Sequence, residues 1–249
     1  MSGCNPVVLI TGASRGIGAA TATLAARDGF DVAIGYVKNE AAALQVAEAV
    51  RRRGRKAAIV QGDVANLHDI VRMFNQAEEQ LGPITALVNN SGITGPIGPF
   101  LQTSSETIEQ VFRVNVFGTM EACREAVKRF QHQRIPGVIV NISSVATRTG
   151  SPREYIHYAA SKAAVETFTI GLARELASDG IRVCAVAPGS TLTDIHATAG
   201  EPDRPLRVAP DIPMGRLAQP EEIAETITWL LSPAASYLTG TVVHCAGGA

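Results

Sequence analysis

The chain has 249 residues, 46% of them hydrophobic, with 22 basic side chains against 23 acidic ones and a formal net charge of −1. That length and apolar content suit one domain around one large core, and the scattered, balanced charge leaves no basic face to hold nucleic acid. No apolar run reaches the roughly 18 residues of a membrane span, and the chain reaches its first strand without a charged n-region or cleavage site, so a cytoplasmic protein is expected. Cys4, Cys123, Cys184 and Cys245 lie far apart and form no CxxC or Cys/His cluster. They imply free thiols in a reducing compartment and no metal site.

In chain order, Val7–Ile10 reads as a buried strand and Gly16–Asp28 as the helix after it. Val32–Ile34 is followed by a helix over Glu40–Arg53, whose Arg51-Arg52-Arg53 end reads as a solvated terminus, favourable beside the carboxyl-terminal dipole. The strand Ala57–Val60 leads to helix Leu67–Leu81, and Ala86–Val88 leads to a long helix, Ser104–Gln131. Val138–Ile142 precedes helix Tyr155–Asp179, and Val183–Ala187 precedes a Pro-, Gly-, Asp- and Arg-rich segment, Ser190–Ala218. That segment is longer than an ordinary connection and is expected to be a mobile lid. Helix Pro220–Leu231 and a short strand near Thr241–His244 complete the chain. The alternation predicts an α/β protein: a single doubly wound, Rossmann-like domain with a parallel sheet of about seven strands and helices on both faces. Ligands in such a sheet gather at the carboxyl ends of the strands.

The first such end carries Thr11-Gly12-Ala13-Ser14-Arg15-Gly16-Ile17-Gly18. Glycines at 12, 16 and 18 allow a tight turn, close backbone approach to a pyrophosphate and a helix start whose amides face the anion. The second strand ends in Gly35-Tyr36-Val37-Lys38 with no carboxylate to bind ribose hydroxyls and repel a 2′-phosphate. With Arg15 in the turn and Lys38 nearby, the pattern favours NADP(H), with NAD(H) possible. Asp63, just past the third strand, is either an acceptor for the adenine amine or a helix cap.

Tyr158 and Lys162 stand four residues apart and share a helix face. A free phenol titrates near about 10, and a neighbouring ammonium stabilises the phenolate, which suits Tyr158 to acid–base work. Tyr155, a rival phenol, has alanine four residues on and reads as substrate wall or packing; His157 reads as a lone surface or wall histidine. Arg148, Arg153 and Arg204 could meet an acidic substrate but read as solvated loop arginines.

The ordered set TGASRGIG, Asp63-Val64, Asn89-Asn90-Ser91-Gly92, Asn115, Ser143-Ser144, Tyr158-Ala-Ala-Ser-Lys162 and Pro188-Gly189 resembles the short-chain dehydrogenase/reductase family from about Val7 to Gly248. It is most similar to the bacterial branch containing 3-oxoacyl-carrier-protein reductases and glucose dehydrogenases. The resemblance implies that Tyr158 gives its proton to a carbonyl oxygen, that Lys162 holds the nicotinamide ribose and lowers the phenol pKa, and that Ser144 polarises the carbonyl. It implies that Asn115, inside the long helix, holds a water linking Lys162 to solvent, and that Asn89 and Asn90 brace the central strands and border the adenosine ribose. Pro188-Gly189 would open the lid, with Thr193 near the carboxamide or diphosphate. Three positions depart from the family pattern. Ser91 replaces the usual alanine and adds a hydroxyl near the ribose. Thr191 replaces an aliphatic residue whose contact is made by main chain. Ser144 precedes Tyr158 by fourteen residues where thirteen is commoner, which points to one residue inserted in the loop Thr147–Glu154 and leaves Ser143 as understudy.

The expected activity is hydride transfer between nicotinamide and a carbonyl or secondary alcohol of a small molecule, in the reductive direction. A sugar dehydrogenase running oxidatively and a non-catalytic dinucleotide-binding regulator are the alternatives. The resemblance also implies a homotetramer built on helices Ser104–Gln131 and Tyr155–Asp179 and on the last strand. Val111, Val114, Phe168 and Leu172 are compatible with that assembly and equally with ordinary core packing.

Overall fold

The computed structural model describes residues 5–249, so Cys4 lies outside the described residues. Strand β1 (Val7–Ile10) is followed by α1 (Gly16–Arg27), β2 (Asp31–Tyr36), α2 (Glu40–Arg51), β3 (Ala57–Gln61), α3 (Leu67–Leu81) and β4 (Ile84–Asn89). Next come α4 (Ser105–Phe112), a π-helical segment (Arg113–Gly118), α5 (Thr119–Gln133), β5 (Val138–Ile142), α6 (Ala146–Thr149), α7 (Ile156–Leu176) and β6 (Arg182–Pro188). The short helices α8 (Ile195–Thr198) and α9 (Arg204–Val208) lead to α10 (Pro220–Leu231) and β7 (Val242–Cys245). The seven strands form one parallel sheet in the order β3-β2-β1-β4-β5-β6-β7.

Both faces of the sheet are buried, which is why its strands read as unbroken apolar runs. Val8 and Ile10 point to one side, where they meet α1, α2 and α10 through Ala22, Ala43 and Ile227. Val7 and Leu9 point to the other, against α3, α5 and α7 through Phe74, Phe130 and Leu176. The order reverses between β1 and β4, the position where a crevice opens at the carboxyl ends of a doubly wound sheet.

The single long helix expected over Ser104–Gln131 is two helices joined by a π-turn. Ser104 caps α4, its hydroxyl accepting from the Thr107 amide at 3.2 Å. The π-turn then widens the backbone around Asn115, which is fully buried. Gly118 closes the turn where a Cβ would stand 2.8 Å from the Val64 carbonyl oxygen. The sequence period continues through this stretch, so nothing in it announces the extra residue.

The segment 190–218 is an excursion with two small helices and a closed base. Thr191 bridges Ala218; the Leu192 amide donates to the Ala218 carbonyl at 2.9 Å, and the Ala218 amide donates to that of Ser190 at 3.0 Å. Arg51, Arg52 and Arg53 are exposed at the end of α2, as a solvated terminus should be. Cys123 and Cys184 are buried and Cys245 is half-buried, all three as free thiols.

Candidate active site

The glycine-rich turn after β1 is held by the end of β4. Thr11 Oγ1 accepts from the amides of Asn90 and Ser91 at 3.1 and 3.0 Å, and Asn90 Nδ2 donates to the carbonyls of Thr11 and Gly12 at 3.0 and 2.9 Å. Gly12 (φ 62°) and Gly16 (φ 55°) occupy the left-handed region. Gly18 serves a different need: a Cβ there would lie 2.5 Å from Asn90 Nδ2 and 2.6 Å from the Gly12 carbonyl oxygen. The first turn of α1 carries no acidic residue, and Arg15 at its start supplies no capping oxygen. Its leading amides therefore suit an anionic group. Ser14 is half-buried within the turn, and Ile17 packs on the core beneath it.

Around this cradle the predicted contacts sort unevenly. Arg15 reaches across to Asp194 at 3.4 Å, both side chains about two-thirds exposed. Thr193 stands over the turn, its Cγ2 3.2 Å from where a Gly16 Cβ would be. Tyr36 is buried at the end of β2 with its phenol pushed above the ordinary range, chiefly by burial, and Lys38 is exposed just beyond. Asp63 folds its carboxylate onto the Ala65 amide at 2.9 Å, and its own amide donates to Asp69 Oδ2. It does not cap α3; Asn66 does. The Ser91 hydroxyl packs on Gly12, within 2.9 Å of its missing Cβ. Pro188 ends β6, its carbonyl accepting from the Val145 amide, and the Gly189 amide donates to the Cys245 carbonyl. The Thr191 hydroxyl donates to the Gly189 carbonyl at 2.9 Å. An open cleft of about 490 Å³ lies beside Gly16, Thr193 and Asp194 and continues toward Pro220 and Glu221; it adjoins the cradle rather than Tyr158.

Tyr158 and Lys162 share the buried face of α7. Lys162 Nζ lies 5.8 Å from the Tyr158 ring centroid and donates to the Ile142 carbonyl at 2.7 Å. Burial lowers its pKa to about 8. Burial likewise pushes the Tyr158 phenol up, opposed by a hydrogen bond with Ser144 and by the positive charge of Arg204. The phenol therefore stands above its ordinary value here, not below it as a Lys162-dominated site would have it. The cause is desolvation, which outweighs both stabilising partners.

The choice between the two serines follows from orientation. Ser144 Oγ accepts from the Ala146 amide at 3.1 Å and acts on the phenol in the lowering direction, whereas the Ser143 hydroxyl donates to Glu166 Oε1 at 2.6 Å. In the loop where an inserted residue is expected, Gly150, Ser151 and Arg153 all have positive φ, at 71°, 42° and 64°.

Asn115 Oδ1 accepts from the Ile93 amide at 2.9 Å, and its Nδ2 donates to the Ile93 carbonyl and to Ser161 Oγ at 2.9 and 3.0 Å. Ser161 in turn donates to the Tyr158 carbonyl at 2.7 Å. Gly92 completes the cluster: its missing Cβ would stand 3.2 Å from Lys162 Nζ and 3.4 Å from Asn115 Oδ1. Beneath them, Asn89 Nδ2 donates to Asn141 Oδ1 at 2.9 Å and to Cys123 Sγ at 3.2 Å, and Asn141 Nδ2 donates to Thr169 Oγ1 at 2.9 Å. This buried network pins β4, β5, α5 and α7 together, and it pushes no charge into the core, since burial holds the Cys123 pKa up at about 12. Sequence reasoning missed Asn141, Ser161 and Thr169. Asn141 had left a signal as the one polar residue in the strand Val138–Ile142.

Two further expectations change. Arg204 is buried rather than solvated, pairs with Glu154 at 2.8 Å and lies 5.4 Å over the Tyr155 ring. Arg148 and Arg153 are exposed. His157 is 3% exposed, with Nε2 2.8 Å from the Thr94 carbonyl oxygen, so it braces the loop after β4 instead of facing solvent.

Comparison with known proteins extends over almost the entire chain. Residues 12–249 match the profile of the family described as enoyl-(acyl carrier protein) reductase. The chain is 46% identical to the uncharacterized oxidoreductase YgfF of Escherichia coli (strain K12), covering 97% of this chain and 99% of that one. It is 38% identical to 3beta-hydroxysteroid dehydrogenase 1 of Eggerthella lenta, over 97% of this chain and 92% of the other. Identity to the 3-oxoacyl-[acyl-carrier-protein] reductase FabG of Staphylococcus aureus (strain Mu50) is 35%, over 96% of each chain. Among solved structures, a short-chain type dehydrogenase/reductase from Mycobacterium marinum superposes with a TM-score of 0.92 at 32% identity, covering 98% of this chain and 94% of that one. The 3-ketoacyl-(acyl-carrier-protein) reductase from Brucella melitensis, complexed with NADH, gives 0.90 at 31% identity, covering 98% and 97%. With a glycine cradle at the first strand end and a serine–tyrosine–lysine cluster across the crevice from it, the chain belongs to the short-chain dehydrogenase/reductase family.

Proposed function

We propose that this protein is an NADP(H)-dependent oxidoreductase, cytoplasmic, that reduces the carbonyl of a small molecule to a secondary alcohol and can run in reverse. The observation that carries the reading is the placement of Tyr158 and Lys162 on one buried face of α7, with the Lys162 ammonium 5.8 Å from the phenol ring. A bound nicotinamide supplies the hydride for reduction and takes it up in oxidation. The residues present fit that group: the left-handed glycines and the first amides of α1 would cradle the pyrophosphate, Lys162 would hold the nicotinamide ribose and Asn90 would border the adenosine ribose. The Ser144 hydroxyl would donate to the substrate carbonyl, and Tyr158 would pass its phenolic proton to the same oxygen as it becomes an alkoxide. The lowered Lys162 pKa leaves its ammonium able to lose a proton near neutrality, which helps restore the phenol afterwards.

NADP(H) preference rests on Arg15, on exposed Lys38 and on the absence of a carboxylate at the end of β2. The expected kcat/KM with NADPH exceeds that with NADH by about tenfold or more, equivalent to about 1.4 kcal/mol, on a panel of diketones, aldehydes and acetoacetyl esters. Arg15→Ala should remove most of that margin. Turnover with NADH alone would overturn the preference. Consumption of neither cofactor, on this panel and on sugars and alcohols in reverse, would favour a binding protein.

We further propose a homotetramer. Phe117 in the π-turn is 61% exposed and Ile156 at the start of α7 is 41% exposed, a cost that a helix-to-helix interface removes. Strand β7 forms the edge of the sheet, where its backbone is open to pairing. Val111 is fully buried within the chain and cannot contribute, while Phe168 and Leu172 are half-buried against the core. Light scattering should give four times the chain mass; a monomer would refute the assembly.

A further inference from the structure

Arg204 belongs to neither the cradle nor the serine–tyrosine–lysine cluster, yet it is the most deeply placed cation on the excursion. It is 8% exposed, and its Nε is buried without a hydrogen-bond partner. Its guanidinium covers the Tyr155 ring at 5.4 Å, and that ring meets the ring of Tyr158 edge-on, with centroids 5.3 Å apart and planes at 86°. Glu154 holds it from below at 2.8 Å, and the same carboxylate is shared with Arg207 at 2.6 Å.

We infer that Arg204 is a positioning residue for the reacting phenol: the excursion carries a fixed, poorly solvated cation onto the ring of Tyr155, and with the excursion seated that cation favours the phenolate of Tyr158. The inference rests on Tyr158 being the proton donor and acceptor.

The groups facing Tyr158 leave this part to Arg204. Ser144, from the segment after β5, acts on the phenol in the lowering direction. Lys162, on the same helix, spends a proton on the Ile142 carbonyl. Tyr155 keeps its own proton, since burial pushes its phenol far above the ordinary range. His157 is turned to Thr94, and Asn115 reaches Tyr158 only through Ser161. Ile97, from the segment after β4, contributes apolar surface. From α9, Arg207 is half exposed and divided between Glu154 and Glu201, so solvent screens it. Glu154, which also acts on Tyr155, offsets part of the Arg204 charge, and the guanidinium lies over the face of the Tyr155 ring. The positive charge of Arg204 acts on Tyr158 in the lowering direction, against the burial that holds the phenol above its ordinary value. A lowered phenol pKa populates the phenolate at lower pH, which advances the rising limb of alcohol oxidation toward neutrality.

The chain has four tyrosines, so ring-carbon-labelled tyrosine gives four resolvable signals in a pH titration by NMR. Tyr158→Phe identifies the relevant one. Arg204→Gln and Arg204→Met, the latter filling the same space over Tyr155 without charge, should each move the Tyr158 titration up by roughly half a unit to one unit. Arg204→Lys should restore most of the shift, and Arg207→Gln should leave the curve in place. An unchanged Tyr158 curve in a folded neutral variant, even one with reduced turnover, would reduce Arg204 to a latch and overturn the inference. So would a Tyr158 that stays fully protonated to about pH 11.5 in the unmodified protein. The titration needs no turnover, so full activity in Tyr158→Phe would defeat the functional reading separately.

Discussion

Tyr158→Phe should lower turnover by about 10²–10⁴-fold while leaving dinucleotide affinity within about twofold, under 0.5 kcal/mol. The substitution keeps the ring, and with it the edge-on contact to Tyr155 and the packing on Ala146 and Ala159. It deletes only the phenolic hydroxyl, on whose acidity Ser144 acts in the lowering direction. Ser144 also accepts from the Ala146 amide at 3.1 Å, so its orientation survives the loss. The stability cost is one hydrogen bond, about 1 kcal/mol, and thermal unfolding should show a correspondingly small change. Stopped-assay turnover and direct titration of cofactor binding separate the two effects. Undiminished turnover would remove Tyr158 from the chemistry and turn attention to Tyr155, whose raised phenol makes it a poor base.

Gly18→Ala is the second large effect, and it should act on binding and stability together. Two of the atoms a new methyl group would meet are backbone: the Gly12 carbonyl oxygen at 2.6 Å and Ala13 Cα at 2.9 Å. Neither can swing aside as a flexible side chain would. Relief requires α1 to move off the turn, which breaks the Asn90 hydrogen bond to the Gly12 carbonyl and displaces the helix amides from the cradle. Overpacking of this kind costs about 1–3 kcal/mol of stability, and dinucleotide affinity should fall at least about a hundredfold, or about 2.7 kcal/mol. Gly171→Ala is the matched control. Nothing lies within 4 Å of its missing Cβ, and it sits inside α7. That change should raise stability by about 0.5–1 kcal/mol and leave binding alone. Parallel denaturation and cofactor titration of the two variants distinguish close approach from general intolerance of glycine replacement.

The contrast between these glycines shows what could be read from residues alone. The strands were legible because a parallel sheet buried on both faces demands continuous apolar runs, and Val7–Ile10 or Val138–Ile142 supply them. The cradle was legible because backbone conformation forces glycine at 12 and 16. The π-turn was not, since the residues around Asn115 keep a helical period and the extra residue is fixed by the tertiary contact of Gly118 with Val64. Ser151 and Arg153 adopt left-handed backbone without the residue type that would have signalled it. Arg204 meets Glu154 across fifty positions of chain, and no local pattern distinguishes it from Arg148 or Arg153, which do face water. The sequence favours Ser144 over Ser143, but that the Ser143 hydroxyl turns to Glu166 was not legible there, because the partner is set by tertiary packing.

The closed base of the excursion bears on how such a protein can change its diet. Because Ser190–Leu192 and Ala218 are already hydrogen-bonded to each other, the chain between them is a loop whose ends stay together whatever its length. Doubling such a loop costs only about 0.6 kcal/mol in closure entropy, so the stretch behaves as an exchangeable cassette on an unchanged sheet. An exchange would not be chemically neutral, however. The cassette carries Arg204 over Tyr155, so on the role proposed for that cation a transplant that alters which molecule fits would at the same time alter the acidity of Tyr158. Engineers replacing this segment should retain a buried cation opposite Tyr155 or expect the pH optimum to drift with the specificity.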